Sequence, residues 1–447
     1  MKKIKLLSIL LCLLLVFSGC SGKATGQSYG DEQTDDTLRI CVDTSAVSTQ
    51  YASDKAAKEA ETKKFFEALA TELKSACGIE KLCFEILPQE GAERETTLQR
   101  LRTEIMAGSG PDVFLMSAGM GSLEFGYDDA LFNFPEKSTE ASIFLPLDEY
   151  MANSTRFTDW AAQSEIIMSA GRSVDGQVMI PLTYTFPVLA YPRDAADMEY
   201  STELTMYDIL ENPETAELGA VLYSNLSKSD GFGDRSNITI LPDLLGKYAD
   251  FESEELLFTE DEMYNVLVTA SSLHDEIEQN PYQYISGDAG TGFIYDLSVA
   301  YFDTEMTLLP TYSIDGGATA SITAFTAVNS NTKFPEQAFS VIDYIMQENM
   351  QRKSELYAYY FRNGLPLQDD LGQQSKPLEE AYGSGKYLSQ PYFEDLCKIK
   401  GTITNVNFQS ELDYVLLALD QKCAQQSEIS PEDVSEAYEK MERMIGE

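Results

Sequence analysis

The chain has 447 residues, with 32 basic and 73 acidic side chains and a formal net charge of −41. Such a charge repels phosphate groups, so nucleic acid is excluded as an expected partner and anionic lipid headgroups as a direct one. Aromatic residues make up 11% of the chain, more than a disordered acidic polymer carries. The body of the chain is therefore expected to fold around apolar cores.

The N-terminal residues have the pattern of a lipoprotein signal. Three lysines precede the apolar stretch 6–16, which is too short to span a bilayer, and a Ser-Gly pair stands before Cys20. We expect a signal peptide at 1–19, lipidation of the Cys20 thiol and a polar, flexible tether at 20–36. The mature protein would then lie on the extracellular face of the cell membrane, held there by its lipid alone.

Strands and helices alternate after the tether. The pattern predicts strands at 37–42, 81–87 and 113–116 and helices at 55–74 and 94–106. This alternation is typical of an α/β fold with a parallel sheet, in which ligands lie outside the carboxyl ends of the strands. The candidate ligand contacts at these ends are Asp43, Thr44, Gln89, Ser117 and Gly119.

Three segments carry longer motifs: 101–116 (LRTEIMAGSGPDVFLM), 180–194 (IPLTYTFPVLAYPRD) and 306–347, where Leu-Pro, Gly-Gly and Ala-Val-Asn precede Pro-Glu-Gln-Ala. In this order they resemble extracellular solute-binding proteins of family 1, the maltose-binding-protein-like receptors of bacterial ABC importers. The resemblance implies a helix, glycine turn and strand in a first lobe, then a strand that crosses into a second lobe, then a return.

The resemblance also implies how the chain is divided. We expect a two-lobed α/β fold of the periplasmic-binding-protein type II, with three crossing segments between the lobes. The N-lobe would comprise 37–190 and 313–364, and the C-lobe 191–312 and 365–447. Closure of the two lobes on a solute would be the working motion.

The first crossing supplies further candidate ligand contacts. Tyr184, Thr185 and Phe186 lie within it, where residues of this family face the cleft from its floor. Packing within the hinge explains the same residues equally well, so both interpretations stay open.

The second half of the chain gives the remaining predictions. The residue pattern predicts helices at 261–277, 411–425 and 431–445 and a strand at 220–223. The resemblance implies a short helix at 205–210, a glycine-rich strand and turn within 287–297, and the last crossing at 364–367. The resemblance places Tyr295 against the ligand. The other candidate contacts here are Asn225, which follows the predicted strand, and Tyr312, which begins the return to the first lobe.

Signals of catalysis are weak. The single histidine, His274, excludes multi-histidine metal sites, and the chain lacks GxSxG, HExxH and P-loop motifs. We expect no cofactor and no metal. Five cysteines remain after Cys20 at irregular spacings, and Cys397 with Cys423 is the one pair left open as a disulfide.

The sequence thus favours a monomeric, non-enzymatic receptor that binds a neutral mono- or oligosaccharide, stacked on Tyr184 or Tyr295, and delivers it to the transmembrane subunits of an ABC permease. Two alternatives stay open. One is a lipid-anchored glycoside hydrolase with paired carboxylates, because 73 acidic residues always supply some pair at the required spacing. The other is a surface scaffold without transport.

Overall fold

The computed structural model describes residues 27–44, 55–89, 91–118, 130–192, 198–224, 226–228, 238–279, 290–293, 306–361, 364–368, 390–425 and 429–446. Across these ranges, no helix has the length and apolar character needed to cross a membrane.

The helices are α1 (Lys55–Cys77), α2 (Gly91–Met106), α3 (Pro135–Glu140), α4 (Asp148–Asn153), α5 (Glu165–Ser169), α6 (Met206–Glu211), α7 (Ala216–Tyr223), α8 (Leu241–Leu244), α9 (Glu260–Gln279), α10 (Pro335–Ile345), α11 (Glu348–Lys353), α12 (Gln390–Lys400), α13 (Glu411–Ala424) and α14 (Pro431–Gly446). Shorter helical segments are Trp160–Ala162, a 3₁₀ turn, and Leu356–Tyr360, a π turn.

The strands are β1 (Gln27–Gly30), β2 (Leu38–Asp43), β3 (Leu82–Ile86), β4 (Val113–Ser117), β5 (Arg172–Ser173), β6 (Gly176–Gln177), β7 (Met179–Thr185), β8 (Pro187–Pro192), β9 (Ser227–Lys228), β10 (Ile238–Thr239), β11 (Ala249–Asp250), β12 (Glu255–Leu256), β13 (Gly290–Phe293), β14 (Met306–Pro310), β15 (Ala318–Val328), β16 (Leu365–Pro366) and β17 (Ile403–Phe408).

The largest sheet has eight strands in the order β1-β3-β2-β4-β15-β7-β16, with β17 also paired to β15. β2 runs parallel to β3 and β4, whereas β15 runs antiparallel to β4 and β7. Its strands are buried because α1 packs aromatic side chains on it, such as Phe66 at 5.0 Å from Phe84 between ring centroids. This sheet and its helices form the first hydrophobic core.

A second hydrophobic core surrounds a three-stranded sheet, in which β8 lies between β13 and β14. Leu189 of β8 and Leu309 of β14 are buried there beside Met263 of α9, Leu416 of α13 and Met441 of α14. The described residues therefore contain two separate cores, and the predicted two-lobed α/β fold is confirmed.

The chain passes between the two cores at three places within the described residues. β7 belongs to the first sheet and β8 to the second, with Phe186 alone between them. β14 in the second sheet is followed by β15 in the first, and β17 in the first sheet is followed by α13 in the second core. The predicted number of crossings is found.

One segment lies elsewhere than the sequence indicated. β1 falls within the expected tether, yet it pairs with β3 because Tyr29 is buried and stacks on Phe66 at 6.4 Å. β16 pairs with β7 and β17 with β15, and Asp395 of α12, between them in the chain, accepts from the Thr307 hydroxyl of β14 at 2.7 Å. The last crossing at 364–367 stays a prediction. The exact lobe boundaries stay predictions.

Most predicted elements are confirmed, and one is wrong. Residues 220–223 were expected to be a strand, but they end the helix α7. A run of four apolar residues fits a buried strand or a buried helix equally well. Here Leu218 and Leu222, four residues apart, both face the second core, and this helical spacing decides the outcome.

Candidate functional site

The carboxyl ends of β2, β3 and β4 lie at one edge of the first sheet, because β2 is parallel to both of its neighbours. We call the residues at these ends, 43–44, 87–89 and 117–118, the rim. It carries the predicted Asp43, Thr44, Gln89 and Ser117. The predicted Gly119, Asn225, Tyr295 and Cys20 lie outside the described residues.

Asp43 is engaged by an arginine that the sequence did not single out. Arg94, near the start of α2, donates from Nη1 to Oδ1 at 3.1 Å and from Nη2 to Oδ2 at 2.8 Å. The two side chains are 9% and 7% exposed, with Asp43 the higher. Nη1 of Arg94 also donates to the carbonyl oxygen of Pro88 at 2.8 Å, so one guanidinium joins the ends of β2 and β3.

A second contact ties the same two ends together. Nε2 of Gln89 donates to the carbonyl oxygen of Thr44 at 2.6 Å. Thr44 is itself 1% exposed, and its hydroxyl oxygen has no hydrogen-bond partner among the described residues. A buried polar atom in this state costs free energy, so it is a natural position for a ligand hydroxyl or a bound water.

Beyond the rim, the sheet offers a polar floor. The hydroxyls of Thr183 on β7 and Thr323 on β15 lie 2.7 Å apart, and the backbone N–H of Ala118 donates to the carbonyl oxygen of Thr323 at 2.8 Å. Gly364 lies against these groups so closely that a Cβ there would come within 2.7 Å of the Tyr184 carbonyl oxygen. Ser117 pairs with Ala324 of β15 in the same region.

The aromatic residues of the first crossing are packed inside the protein. Tyr184 and Phe186 are fully buried, with ring centroids 6.1 Å apart, and Thr185 between them is buried too. In the described conformation these residues pack within the hinge, which is one of the two interpretations of the sequence. A direct ligand contact by any of the three stays a prediction.

Tyr312 is also held by protein contacts. Its hydroxyl donates to the Glu199 carbonyl oxygen at 2.7 Å and accepts from the Ser201 N–H at 3.0 Å. Its own N–H donates to the Tyr223 hydroxyl at 3.2 Å. Burial raises the pKa of Tyr312 to about 12, so its hydroxyl stays protonated and fixes the second crossing in place.

A group of acidic residues, which we call the junction, lies where the first sheet meets the second core. Its members are Glu136 on α3, Asp243 on α8 and Asp413 on α13, all buried. Nζ of Lys247 lies 2.5 Å from Oε1 of Glu136 and donates to the Val406 carbonyl oxygen of β17 at 3.1 Å. This ion pair joins the two cores.

The junction carboxyls differ in charge balance. Burial, followed by the charge of Asp413, raises the pKa of Asp243 well above its usual range, while Ser321 of β15 donates to it at 3.2 Å. Burial, with Glu136 adding to it, raises the pKa of Asp413 to about 7. Asp413 nonetheless accepts from the Ser410 N–H at 2.6 Å as part of a capping box at the start of α13.

Other predicted features lie away from the rim. Trp160 donates from its indole N–H to Oδ1 of Asp343 at 3.2 Å and packs on the first core. Cys423 is a buried thiol whereas Cys397 is exposed, and no disulfide joins these two described residues. His274 lies exposed on α9, and the described residues contain no group of three metal-ligating side chains suited to hold an ion.

A surface cavity of about 600 Å³ lies between α1, α4 and α10. Its lining includes Cys77, Tyr150, Arg156 and Phe339 and none of the predicted ligand contacts. Cys77, the last residue of α1, lies in this lining, and no rim residue does. The cavity is therefore separate from the predicted site.

Solved structures share this fold over nearly the whole chain. An extracellular solute-binding protein of family 1 from Alicyclobacillus acidocaldarius has a TM-score of 0.55 and 14% identity, covering 93% of this chain and 100% of that one. The cyclic α-maltosyl-1,6-maltose binding protein from Arthrobacter globiformis has a TM-score of 0.52 and 12% identity, with 92% and 99% covered.

An ABC transporter solute-binding protein from Thermotoga lettingae, bound with α-D-tagatose, has a TM-score of 0.50 and 12% identity, covering 92% of this chain and 100% of that one. No protein-family model and no curated protein matches the chain. The chain thus has the two-lobed fold that the sequence motifs predicted. Each of the three structures is named as a binding protein.

Proposed function

We propose that the protein is a lipid-anchored, extracellular receptor that captures a neutral carbohydrate between its two lobes and delivers it to an ABC permease. The observation that carries the proposal is the pair of cores joined by three passages of the chain. Such a connection lets two rigid lobes rotate about their crossings, and a ligand that contacts both lobes shifts the population toward the closed form.

The ligand class is supported by the rim and by the neighbours. Asp43 is paired with Arg94, so the described rim has no net charge there, as suits a neutral sugar. The Thr44 hydroxyl, which has no partner among the described residues, offers a hydrogen bond of the kind that sugar hydroxyls make. One of the similar structures is named as a cyclic α-maltosyl-1,6-maltose binding protein and another as bound with α-D-tagatose.

Membrane attachment through Cys20 and transfer to a permease rest on the sequence pattern and on the resemblance. We take the protein to act as a monomer that carries its solute to the transmembrane subunits. Mass spectrometry of the mature protein from its host tests the lipid, which should be found on an N-terminal Cys20. A mature species that begins elsewhere would contradict this part.

Titration calorimetry tests the ligand. The purified chain from residue 21 onward should bind a sugar in a panel that includes cyclic α-maltosyl-1,6-maltose and α-D-tagatose, with one site and without releasing a cleaved product. Thr44→Val should weaken that binding about tenfold, since it removes one hydrogen bond. Thr326→Val is the matched control, because its hydroxyl is equally buried and unpartnered among the described residues but lies in mid-strand.

Three outcomes would contradict the proposal. Binding of amino acids, peptides or metal ions with no binding of sugars would change the ligand class. Turnover of a glycoside would make the protein a hydrolase. Absence of any ligand-dependent change would favour a surface scaffold.

A further inference from the structure

Arg94 occupies an unusual position for a buried arginine. It lies near the N-terminal end of α2, 6% exposed, and faces the end of the sheet that carries the rim. Its guanidinium makes two bonds to the carboxylate of Asp43 and one to the carbonyl oxygen of Pro88. These partners belong to two different chain segments, one leaving β2 and one leaving β3.

The ion pair is a poor candidate for a purely stabilising contact. Both side chains are almost fully buried, and at such sites the cost of removing two charges from water consumes most of their attraction. What a bidentate arginine does provide is fixed geometry, because its planar fork matches a carboxylate in one orientation. Here it fixes the place of Asp43 against Pro88.

The same contact decides what Asp43 can offer to a ligand. Both of its carboxylate oxygens accept from Arg94, at 3.1 and 2.8 Å. The charges cancel within the pair, which leaves the neighbouring Thr44 hydroxyl as the described polar atom without a partner at this point of the rim. The Asp43 carboxylate therefore offers no free oxygen to balance a positive charge on a ligand.

We propose that Arg94 is a positioning residue that locks the ends of β2 and β3 into one rigid rim and neutralises Asp43, so that this part of the site selects an uncharged group of the ligand. The selection of an uncharged ligand group rests on the proposed function, whereas the rigid rim rests on the contacts of Arg94 with Asp43 and Pro88. It assigns to Asp43 the role of charge partner.

Hydrogen exchange measured by mass spectrometry on the unliganded protein tests the rim. In Arg94→Met, peptides covering 41–44 and 86–89 should exchange at least tenfold faster than in the wild type. Arg39→Met is the matched control, because Arg39 pairs with the buried Glu85 at 2.9 Å in the same sheet. Arg39 lies near the N-terminal end of β2, whereas the rim lies at its carboxyl end. Arg39→Met should leave the exchange of Asp43, Thr44 and Gln89 unchanged.

Arg94→Lys covers the case in which the methionine variant does not fold, since lysine keeps the charge but loses the fork. It should show the same local increase in exchange, to a smaller extent. Unchanged rim exchange in either folded variant, or an equal increase in Arg39→Met, would overturn the positioning role.

Calorimetry with cyclic α-maltosyl-1,6-maltose and α-D-tagatose tests the charge. Arg94→Met should lose at least tenfold in affinity for whichever of the two the wild type binds, and Asp43→Asn with Arg94→Met should recover most of it. A double variant that binds no better than Arg94→Met would overturn the neutralising role. If the wild type binds neither sugar, the proposed ligand is wrong, while the exchange experiment still decides the role of Arg94.

Discussion

Buried acidic side chains lie both at the rim and at the junction, and their charges are balanced in different ways. At the rim, Asp43 has a guanidinium within 2.8 Å. At the junction, Lys247 pairs with Glu136, and burial raises the pKa of Glu136, Asp243 and Asp413. The charge at the rim is compensated by a fixed partner, whereas that at the junction depends on protons.

The difference matters because the two regions have different tasks in the proposed receptor. The rim faces the expected ligand and must keep the same electrostatic character at every pH the protein meets. The junction lies between the two cores and holds them together, so a change in its protonation alters stability.

The largest effect is expected from breaking the fixed pair at the rim. Arg94→Met leaves Asp43 buried without its counter-charge, which should lower the free energy of unfolding by about 3–5 kcal/mol. Asp43→Asn combined with Arg94→Met should recover most of that loss, because no bare charge is left. Urea unfolding measures both, and equal losses in the single and double variants would contradict the account.

A smaller and pH-dependent effect is expected from Lys247→Met at the junction. Loss of the ammonium raises the pKa of Glu136 further, since the Lys247 charge no longer opposes the burial that raises it. A raised pKa stabilises the fold at low pH and this stabilisation is lost as pH rises. The deficit against the wild type should therefore grow between pH 5 and pH 8, reaching roughly 1–3 kcal/mol.

Thermal unfolding at the two pH values checks this expectation. Lys137→Met is the control, because Lys137 lies on α3 beside Glu136 but donates to the carbonyl oxygen of Ile445 instead of to a carboxylate. A deficit of Lys247→Met that is the same at pH 5 and pH 8 would show that Glu136 does not respond to its partner.

The smallest effect is expected from Asp413→Asn, which removes a charge but can keep the helix cap. The pKa of Asp413 rises from 3.8 to about 7 on folding, so the wild type loses stability as pH rises across that interval. The variant should equal the wild type in stability near pH 4 and exceed it at pH 8. A variant less stable at pH 8 would mean that the charged cap outweighs burial.

Much of this fold could be predicted because its signals are local. The helix and strand pattern of 37–116 follows from the spacing of apolar residues, and the structure has α1, α2, β2, β3 and β4 within a few residues of the predicted positions. The helix that the resemblance implied at 205–210 is also present as α6, and Thr205 caps it by accepting from the Asp208 N–H.

The errors arise where distant parts of the chain decide. β17 joins the first sheet through pairing with β15, about 85 residues earlier, and nothing in the sequence near 403–408 specifies that partner. α7 was taken for a strand because four apolar residues carry no period. Arg94 was missed because, as with β17, its partner is distant in the sequence: Asp43 is 51 residues away.

Small-angle scattering on the lipid-free mature chain, with and without a saturating sugar from the calorimetric panel, shows whether the two lobes close on a ligand. We expect a smaller radius of gyration and a shorter maximum dimension when the sugar is bound, because two lobes joined by three crossings close on it. Identical scattering curves in the presence of bound sugar would contradict the proposed receptor.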